Sequence, residues 1–271
     1  MKLAKFILLS AAFGICINAN AQAVNPIPVV NDNWRFSGTI SAWVPASWAT
    51  STVDNLSKSA DSSISDNLNS AGAIAFFTAE AHKGNWGVMA DLVYWQMSGS
   101  SDINKSKVVL GRDHNLYAGT SGQQTQTMLT LAGTYTAYRS NNLYLDGLVG
   151  VRYISSTETL VATTQYTVNG KTKLDVTRNP SYTNQTTDPV IGFKGRARIY
   201  DSSWFVPFYV DAGKGPGSNN TTWQALLGVG NAFSWGDITL AYRAMGFDLK
   251  SNIGVTKYTN AGPQLSATLN F

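Results

Sequence analysis

Cysteine is all but missing from the 271 residues: there is one, Cys16, beside only two histidines, His82 and His114. So few thiols and imidazoles give no disulfide framework and little from which to build a zinc site. No phosphate-cradling glycine loop and no dinucleotide fingerprint occurs either, so no cofactor and no metal is expected. Charge is scarce as well, at 13% of the chain, which is low for a surface that meets water everywhere. Beyond the first segment no apolar run approaches the roughly 18 residues that a membrane helix needs. A helical membrane protein is therefore excluded, while the shortage of charge still asks for an explanation.

The first segment, "MKLAKFILLSAAFGICINANAQA", carries Lys2 and Lys5, then an apolar stretch from Phe6 to Ile17, then the small-residue pattern Ala21-Gln22-Ala23. This is the form of a secretory leader. Cleavage is expected after Ala23, with Ala21 as the competing site. The bulky Ile15 before Cys16 argues against a lipoprotein box. Export would leave a chain without thiols and take two lysines from the 20 basic residues, leaving 18 against 16 acids. The remaining bases are scattered, so no nucleic-acid partner is implied.

What the rest of the chain has is alternation. Ten segments of period two can be read, at about 33–44, 71–82, 85–97, 125–138, 143–155, 189–199, 204–213, 221–233, 237–248 and 262–271. Tight turns at "HKGN", "RSNN", "DSS" and "SWGD" join some of them, and longer stretches rich in Ser, Thr, Asn and Gly join the others. Short turns at one rim and long loops at the other, on an even number of strands, describe a transmembrane antiparallel up-and-down β-barrel. Ten strands is the count, with eight and twelve as alternatives. The segment "LVATTQYTVNGKTKLDVTR" holds the hairpin pair Asn169-Gly170 but has no apolar face, so it is taken as an extension of the third external loop.

One face of each segment is apolar. Trp34, Phe36, Ile40, Ala42 and Val44 oppose Arg35, Ser37, Thr39 and Ser41; Ile238, Leu240, Tyr242 and Ala244 oppose Thr239, Ala241 and Arg243. Aromatics gather at the segment ends. Trp34, Trp86, Trp204, Phe233 and Phe271 fall at the short-turn rim, and Tyr94, Tyr153, Trp223 and Tyr242 near the long-loop rim, as two interfacial girdles would require. The last strand alternates to the final residue, Phe271, which is expected to close the sheet against the first. The layout is then a leader over 1–23, a periplasmic segment over 24–32 and one barrel domain over 33–271.

The stretches "AEAHKGNWGVMADLVYW", "DPVIGFKGRARIYDSSWFVPFYVDAG" and "TTWQALLGVGNAFSWGDITLAYRAMGFDL" resemble the repeated hairpins of uncharacterised Gram-negative outer-membrane barrel proteins, over most of the chain from Trp34 onward. Lys214 stands where such proteins often have a second glycine. The resemblance implies an integral outer-membrane protein surrounded by lipid and lipopolysaccharide. It also implies that Phe271 is part of the signal read by the outer-membrane assembly machinery.

With the apolar faces turned to lipid, the lumen receives Arg35, Glu80, Asp91, Asp146, Arg152, Lys194, Arg196, Arg198, Asp211 and Arg243. Such a set can be a charged constriction that selects solutes, or a network that fills and stiffens a narrow barrel. The row Lys194, Arg196, Arg198 needs acidic neighbours, and Asp211 diagonally across from Lys194 and Asp146 at a similar height to Arg196 on the preceding strand are the expected ones. Omptin proteases, which are ten-stranded, carry acidic pairs and an aspartate with a histidine near the external rim. Here His82 falls in a short turn on the other side, and Asp113-His114 are merely adjacent. No catalytic residue is assigned. The reading is a non-enzymatic outer-membrane protein with an envelope-structural or surface-interaction role and an unidentified surface ligand. A narrow passive channel is the first alternative. An outer-membrane enzyme, a protease or a lipid-modifying one, is the second, and it would show as a histidine and a carboxylate within about 3 Å, inward or at the rim. N-terminal sequencing of the exported protein is expected to read Val24-Asn25-Pro26; a start at Gln22 would move the cleavage to Ala21.

Overall fold

The computed structural model describes residues 24–53, 56–215, 220–251 and 254–271; the leader and its Cys16 lie outside them. The strands are β1 (Trp34–Trp43), β2 (Ala46–Val53), β3 (Leu56–Ser62), β4 (Ala71–Lys83), β5 (Trp86–Val109), β6 (Arg112–Arg139) and β7 (Leu143–Val168), followed by β8 (Lys171–Arg178), β9 (Ser181–Arg198), β10 (Trp204–Lys214), β11 (Thr221–Phe233), β12 (Gly236–Ser251) and β13 (Gly254–Asn270). One short helix, α1 (Ile64–Ser70), follows β3.

Ten of these strands form a closed antiparallel ring in the order β1-β4-β5-β6-β7-β9-β10-β11-β12-β13, and β13 returns to β1. The seam runs from Ser37 opposite Asn270 to Trp43 opposite Gln264. The backbones of Phe36 and Phe271 exchange two hydrogen bonds, 3.1 and 2.9 Å, and so end the ladder. Thr39 with Thr268 (2.9 Å) and Ser41 with Ser266 (2.8 Å) join hydroxyls across the lumen side of the seam. Closure matters because an unpaired strand edge in hydrocarbon would leave amides and carbonyls without partners.

Outward positions are apolar over one band. On β5 the exposed Trp86 and Val88 are followed by Ala90, Leu92 and Tyr94, while Met89, Asp91, Val93 and Trp95 are buried inside. The nine aromatics Trp34, Trp86, Tyr94, Tyr153, Trp204, Trp223, Phe233, Tyr242 and Phe271 all sit on outward faces or at a rim, none of them fully buried. Outward residues beyond Tyr94 on β5 turn polar.

Several strand boundaries differ widely from expectation. β5 continues to Val109 and β6 starts at Arg112, so the stretch taken as a loop after residue 97 is a paired hairpin turning at Leu110 and Gly111, both at positive φ. β7 runs to Val168, where Asn169 (φ 49) and Gly170 (φ 71) make a two-residue turn into β8, and β9 begins at Ser181 rather than 189. The stretch taken as a loop between residues 44 and 71 contains β2, β3 and α1. α1 is capped by Ser63, whose hydroxyl and backbone amide hold the Asp66 carboxyl below its ordinary range. The physical reason is common to all: beyond the lipid both strand faces meet water, so the apolar alternation vanishes while backbone pairing goes on. The 24 residues of β5 extend about 80 Å along the strand and about 60 Å along the barrel axis at the usual tilt, against a hydrocarbon band of about 25 Å. More than half of that hairpin therefore stands clear of the membrane.

Leu227, midway along β11 between Trp223 and Phe233 and facing outward, tests the position of the lipid band. Leu227→Arg is expected to lower the urea-unfolding free energy of the barrel in bilayers by about 2–4 kcal/mol. Thr163→Arg, on the projecting part of β7, is expected to change it by under about 0.5 kcal/mol.

Candidate functional site

The lumen collects buried charge, and it is crossed by side chains at several heights. Arg152 on β7 is fully buried; its Nε donates to Thr130 Oγ1 (2.9 Å), its Nη1 to Thr222 Oγ1 (3.0 Å), and its Nη2 to the Asp211 carboxylate, which also accepts from Tyr209. Arg243 on β12 donates through Nη2 to Asp91 Oδ2 (2.6 Å) and Gln224 Oε1 (3.0 Å) and through Nη1 to Gln264 Oε1 (3.4 Å), with its guanidinium 5.6 Å from the centre of the Trp43 ring. Each arginine ties three other strands. Burial of two such ions is tolerable only because nearly every donor has an acceptor.

Nearer the short turns, Lys194 on β9 reaches across to Glu80 on β4, whose Oε2 also meets His82 Nε2 at 3.0 Å. Arg196 donates to Asp237 Oδ2 (3.0 Å) and to the Pro26 carbonyl (3.2 Å) and lies 4.5 Å from the Phe205 ring centre. Arg198 bonds the Ser202 carbonyl (2.8 Å) and faces the exposed Asp201 at 3.5 Å. The chain before β1 seals this end: Pro26 and Ile27 are buried, the Val30 carbonyl accepts from Arg139 (2.8 Å) and the Asn31 carbonyl from Gly84 (2.9 Å).

Above the two arginines the lumen turns apolar. The next inward positions after Asp91, Arg152 and Arg243 are Val93, Ile154 and Met245, and these pack with Trp43, Phe76, Trp95, Met128, Phe247 and Leu249 into one buried cluster. Trp43 and Trp95 lie 5.6 Å apart between ring centres, and Phe247 stacks on Tyr258 at 5.1 Å. Tyr258 reaches from β13 to Glu158 on β7 over the top of the cluster, and its burial there, with the carboxylate beside it, pushes its pKa upward. This apolar layer was not anticipated from the sequence. Its signal was present in the inward parity of Val93, Trp95, Ile154, Met245 and Phe247, which continues the alternation of the charged positions.

All ten residues assigned to the lumen face it: Arg35, Glu80, Asp91, Asp146, Arg152, Lys194, Arg196, Arg198, Asp211 and Arg243 are buried or half-buried on inward positions. Two expected partnerships are corrected. Asp211 is taken by Arg152 and Tyr209, and Lys194 pairs with Glu80 instead. Asp146 lies opposite Lys194, two positions from Arg196, and accepts from Tyr144 at 2.9 Å, while Arg196 turns to Asp237. The barrel is narrow enough for long basic side chains to span it, so charges meet across the lumen more than along neighbouring strands. His82 is also corrected. It belongs to β4 rather than to a turn, faces inward and is 6% exposed. Its ring fits because Gly87 beside it has no side chain: a Cβ there would come within 2.4 Å of His82 Nδ1 and 2.6 Å of Thr134 Oγ1. Asp113 and His114 point to opposite faces of β6, and His114 Nδ1 meets the Tyr166 hydroxyl at 2.5 Å. Among the described residues no group of three or more His, Cys, Asp or Glu side chains could hold a metal ion.

No family model matches the chain, and no curated protein matches it. Solved structures do. The outer-membrane protease OmpT of Escherichia coli is 9% identical, with 92% of this chain and 100% of that one superposed at a TM-score of 0.53. The fold is that of the outer-membrane β-barrels. Two others align more loosely: the translocator domain of the autotransporter NalP from Neisseria meningitidis, at 12% identity over 98% of this chain and 94% of that one with a TM-score of 0.35, and the attachment invasion locus protein Ail of Yersinia pestis in complex with a heparin analogue, at 10% identity over 88% and 99% with a TM-score of 0.34.

Breaking a buried pair on one side should be worse than removing both partners. Arg152→Ala, which strands the Asp211 carboxylate, is expected to cost about 3–5 kcal/mol in urea-unfolding experiments, and Arg152→Ala with Asp211→Ala distinctly less.

Proposed function

We propose that this protein is a closed, non-enzymatic barrel of the outer membrane whose work is done by the surface it holds above the lipid. The observation that carries the reading is the stacking in the lumen. Two buried arginines, each bonded to three other strands, form one layer, nine apolar side chains form the layer above, and the segment before β1 fills the opposite mouth. A solute crossing this path would have to separate buried ion pairs and then pass a dry aromatic plug. A narrow passive channel, the first alternative, fits that arrangement poorly.

The enzyme alternative has one geometric feature in its favour. His82 and Glu80 are 3.0 Å apart inside the lumen, with the hydroxyl of Thr134 on the neighbouring side of Gly87. Glu80 is also bound by Lys194, however, and His82 and Thr134 are both buried beneath the sealed mouth. Glu80, shared between His82 on its own strand and Lys194 on β9, is better suited to locking β4 to β9 than to meeting a substrate. The long β5–β6 and β7–β8 hairpins, by contrast, carry many exposed side chains, and holding them erect is what a stiffened barrel can do.

Planar-bilayer recording of the refolded protein tests the reading. Silence is expected from protein whose heat-modifiable migration shows that it folded, both in the natural chain and in Arg196→Ala with Arg198→Ala. Steady openings whose ion selectivity shifts in the double variant would make the protein a channel and the basic row its filter.

A further inference from the structure

The part of the barrel wall that clears the membrane includes a blade of four strands, β5-β6-β7-β8, in continuous register from Lys105 opposite Leu116, through Leu116 opposite Tyr166, to Tyr166 opposite Leu174. The pairing fixes which side chains share a face. One face continues the lumen wall and bears Ile103, Lys105 and Lys107 from β5, Arg112, His114, Leu116 and Ala118 from β6, Tyr166 and Val168 from β7, and Lys171, Leu174, Val176 and Arg178 from β8. The other face bears Asp102, Asp113 and Asp175. Lys173 falls at the register shift between β7 and β8. The charges of the blade are thus sorted: bases on the lumen-side face, acids on the outward face. Glu158, the acid at the foot of the lumen-side face, is engaged by Tyr258.

Solvation alone does not call for this sorting, since an exposed sheet is stabilised by opposite charges set side by side on the same face. Here bases are grouped instead: Lys105 and Lys107 lie two positions apart on the same face of β5, with no acid on the strand partners Leu116 and His114. Between the bases lie Ile103, Leu116, Leu174 and Val176, all more than a third exposed. A basic border around exposed aliphatic side chains is a surface that lacks its complement.

We infer that the lumen-side face of this blade is a docking surface for an acidic polypeptide segment carrying aliphatic side chains. The inference rests on the surface-interaction reading above and names its partner. Charge complementarity sets the sign. The aliphatic centre sets the class, because a polysaccharide chain would gain little from Leu116, Leu174 and Val176, while alternating acidic and aliphatic residues of an extended peptide satisfy both. Lys105 and Lys107 are about 7 Å apart along their strand, the spacing of same-side residues in such a peptide. The outward face, on the side of the surrounding membrane, is the acidic one, so the basic face is turned away from it.

The test is fluorescence anisotropy with the folded full-length barrel in nanodiscs and a labelled short peptide alternating glutamate and leucine. Salt-sensitive binding is expected, weakened about tenfold or more by Lys105→Glu with Lys107→Glu and Arg178→Glu, and unchanged by Asp102→Lys with Asp113→Lys and Asp175→Lys on the opposite face. Heat-modifiable migration of each variant reports an intact barrel. Absence of binding to the natural chain, equal binding by the base-reversed variant, or equal binding of a glutamate-serine peptide or of heparin at the same residues would overturn the inference. The two readings fail separately: openings in a bilayer would remove the closed barrel whatever the peptide does, and a silent barrel that ignores the peptide would remove only the partner.

Discussion

A strand that enters hydrocarbon must have both edges paired, because no water is there to satisfy a free amide or carbonyl. In this chain that condition is met at a single seam, where β13 runs back along β1 and the backbones of Phe36 and Phe271 exchange the last two hydrogen bonds. Everything else about the membrane part follows from closure. A closed ring has an outside and an inside, period-two alternation divides each strand between them, and the side chains that lipid will not accept must be placed in the lumen. The seam itself shows the division: Thr39 with Thr268 and Ser41 with Ser266 bond on the inside, while Ile40, Leu265 and Leu269 are exposed to the lipid side.

A ring of ten strands is narrow enough for long side chains to reach from wall to wall. Arg152 and Arg243 do so, each bonding side chains on other strands of the ring. The desolvation cost of two buried guanidinium groups is offset by dense hydrogen bonding, in which Thr130, Thr222, Gln224 and Gln264 supply neutral acceptors beside the carboxylates of Asp91 and Asp211. Neutral acceptors let each arginine be satisfied without crowding more negative charge into a small volume. The same bonds connect strands that are not neighbours in the ring, so the charge that had to be hidden from lipid also resists shear of the wall.

The ring, its strand number and the inward face of ten lumen charges were legible in the sequence, because each depends only on alternation and on the residues at tight turns; the buried Asp188, Asp237 and His82 are lumen groups it did not yield. Asp146 and Asp211 face inward as their parity requires, and the short turns fall where Gly84, Asn142 and Trp235 sit. What was not legible depends on geometry that a strand alone does not carry. Barrel stagger placed Asp146 opposite Lys194 rather than beside Arg196, and the span of a long side chain sent Lys194 across to Glu80. His82 was hidden for a local reason: the turn "HKGN" begins with the last inward residue of β4, and only the missing side chain of Gly87 shows that an imidazole fits there. The projecting strands were read as loops because no environment beyond the lipid imposes an apolar face on them.

That last failure has a physical counterpart in how the upper wall is held. Within the lipid, pairing and burial act together on each strand; above it, β5 to β9 keep their register through backbone bonds and cross-strand hydroxyl pairs such as Thr157 on β7 with Thr183 on β9 (3.0 Å) and Thr163 on β7 with Thr177 on β8 (3.2 Å). Such contacts are weak singly. They are extended over long hairpins whose lower halves are fixed by the barrel, so the register of the blade is inherited from the lumen. Arg152 at Thr130 sets the same β6–β7 pairing that, farther up, puts Leu116 beside Tyr166. A slip of one residue below would carry Lys105, Lys107 and Arg178 to the opposite face. Stiffness in the lumen and chemistry at the surface are thus parts of one mechanical argument: the filled barrel preserves the orientation of side chains that stand tens of ångströms away from it, by about 3.3 Å per residue along the strands.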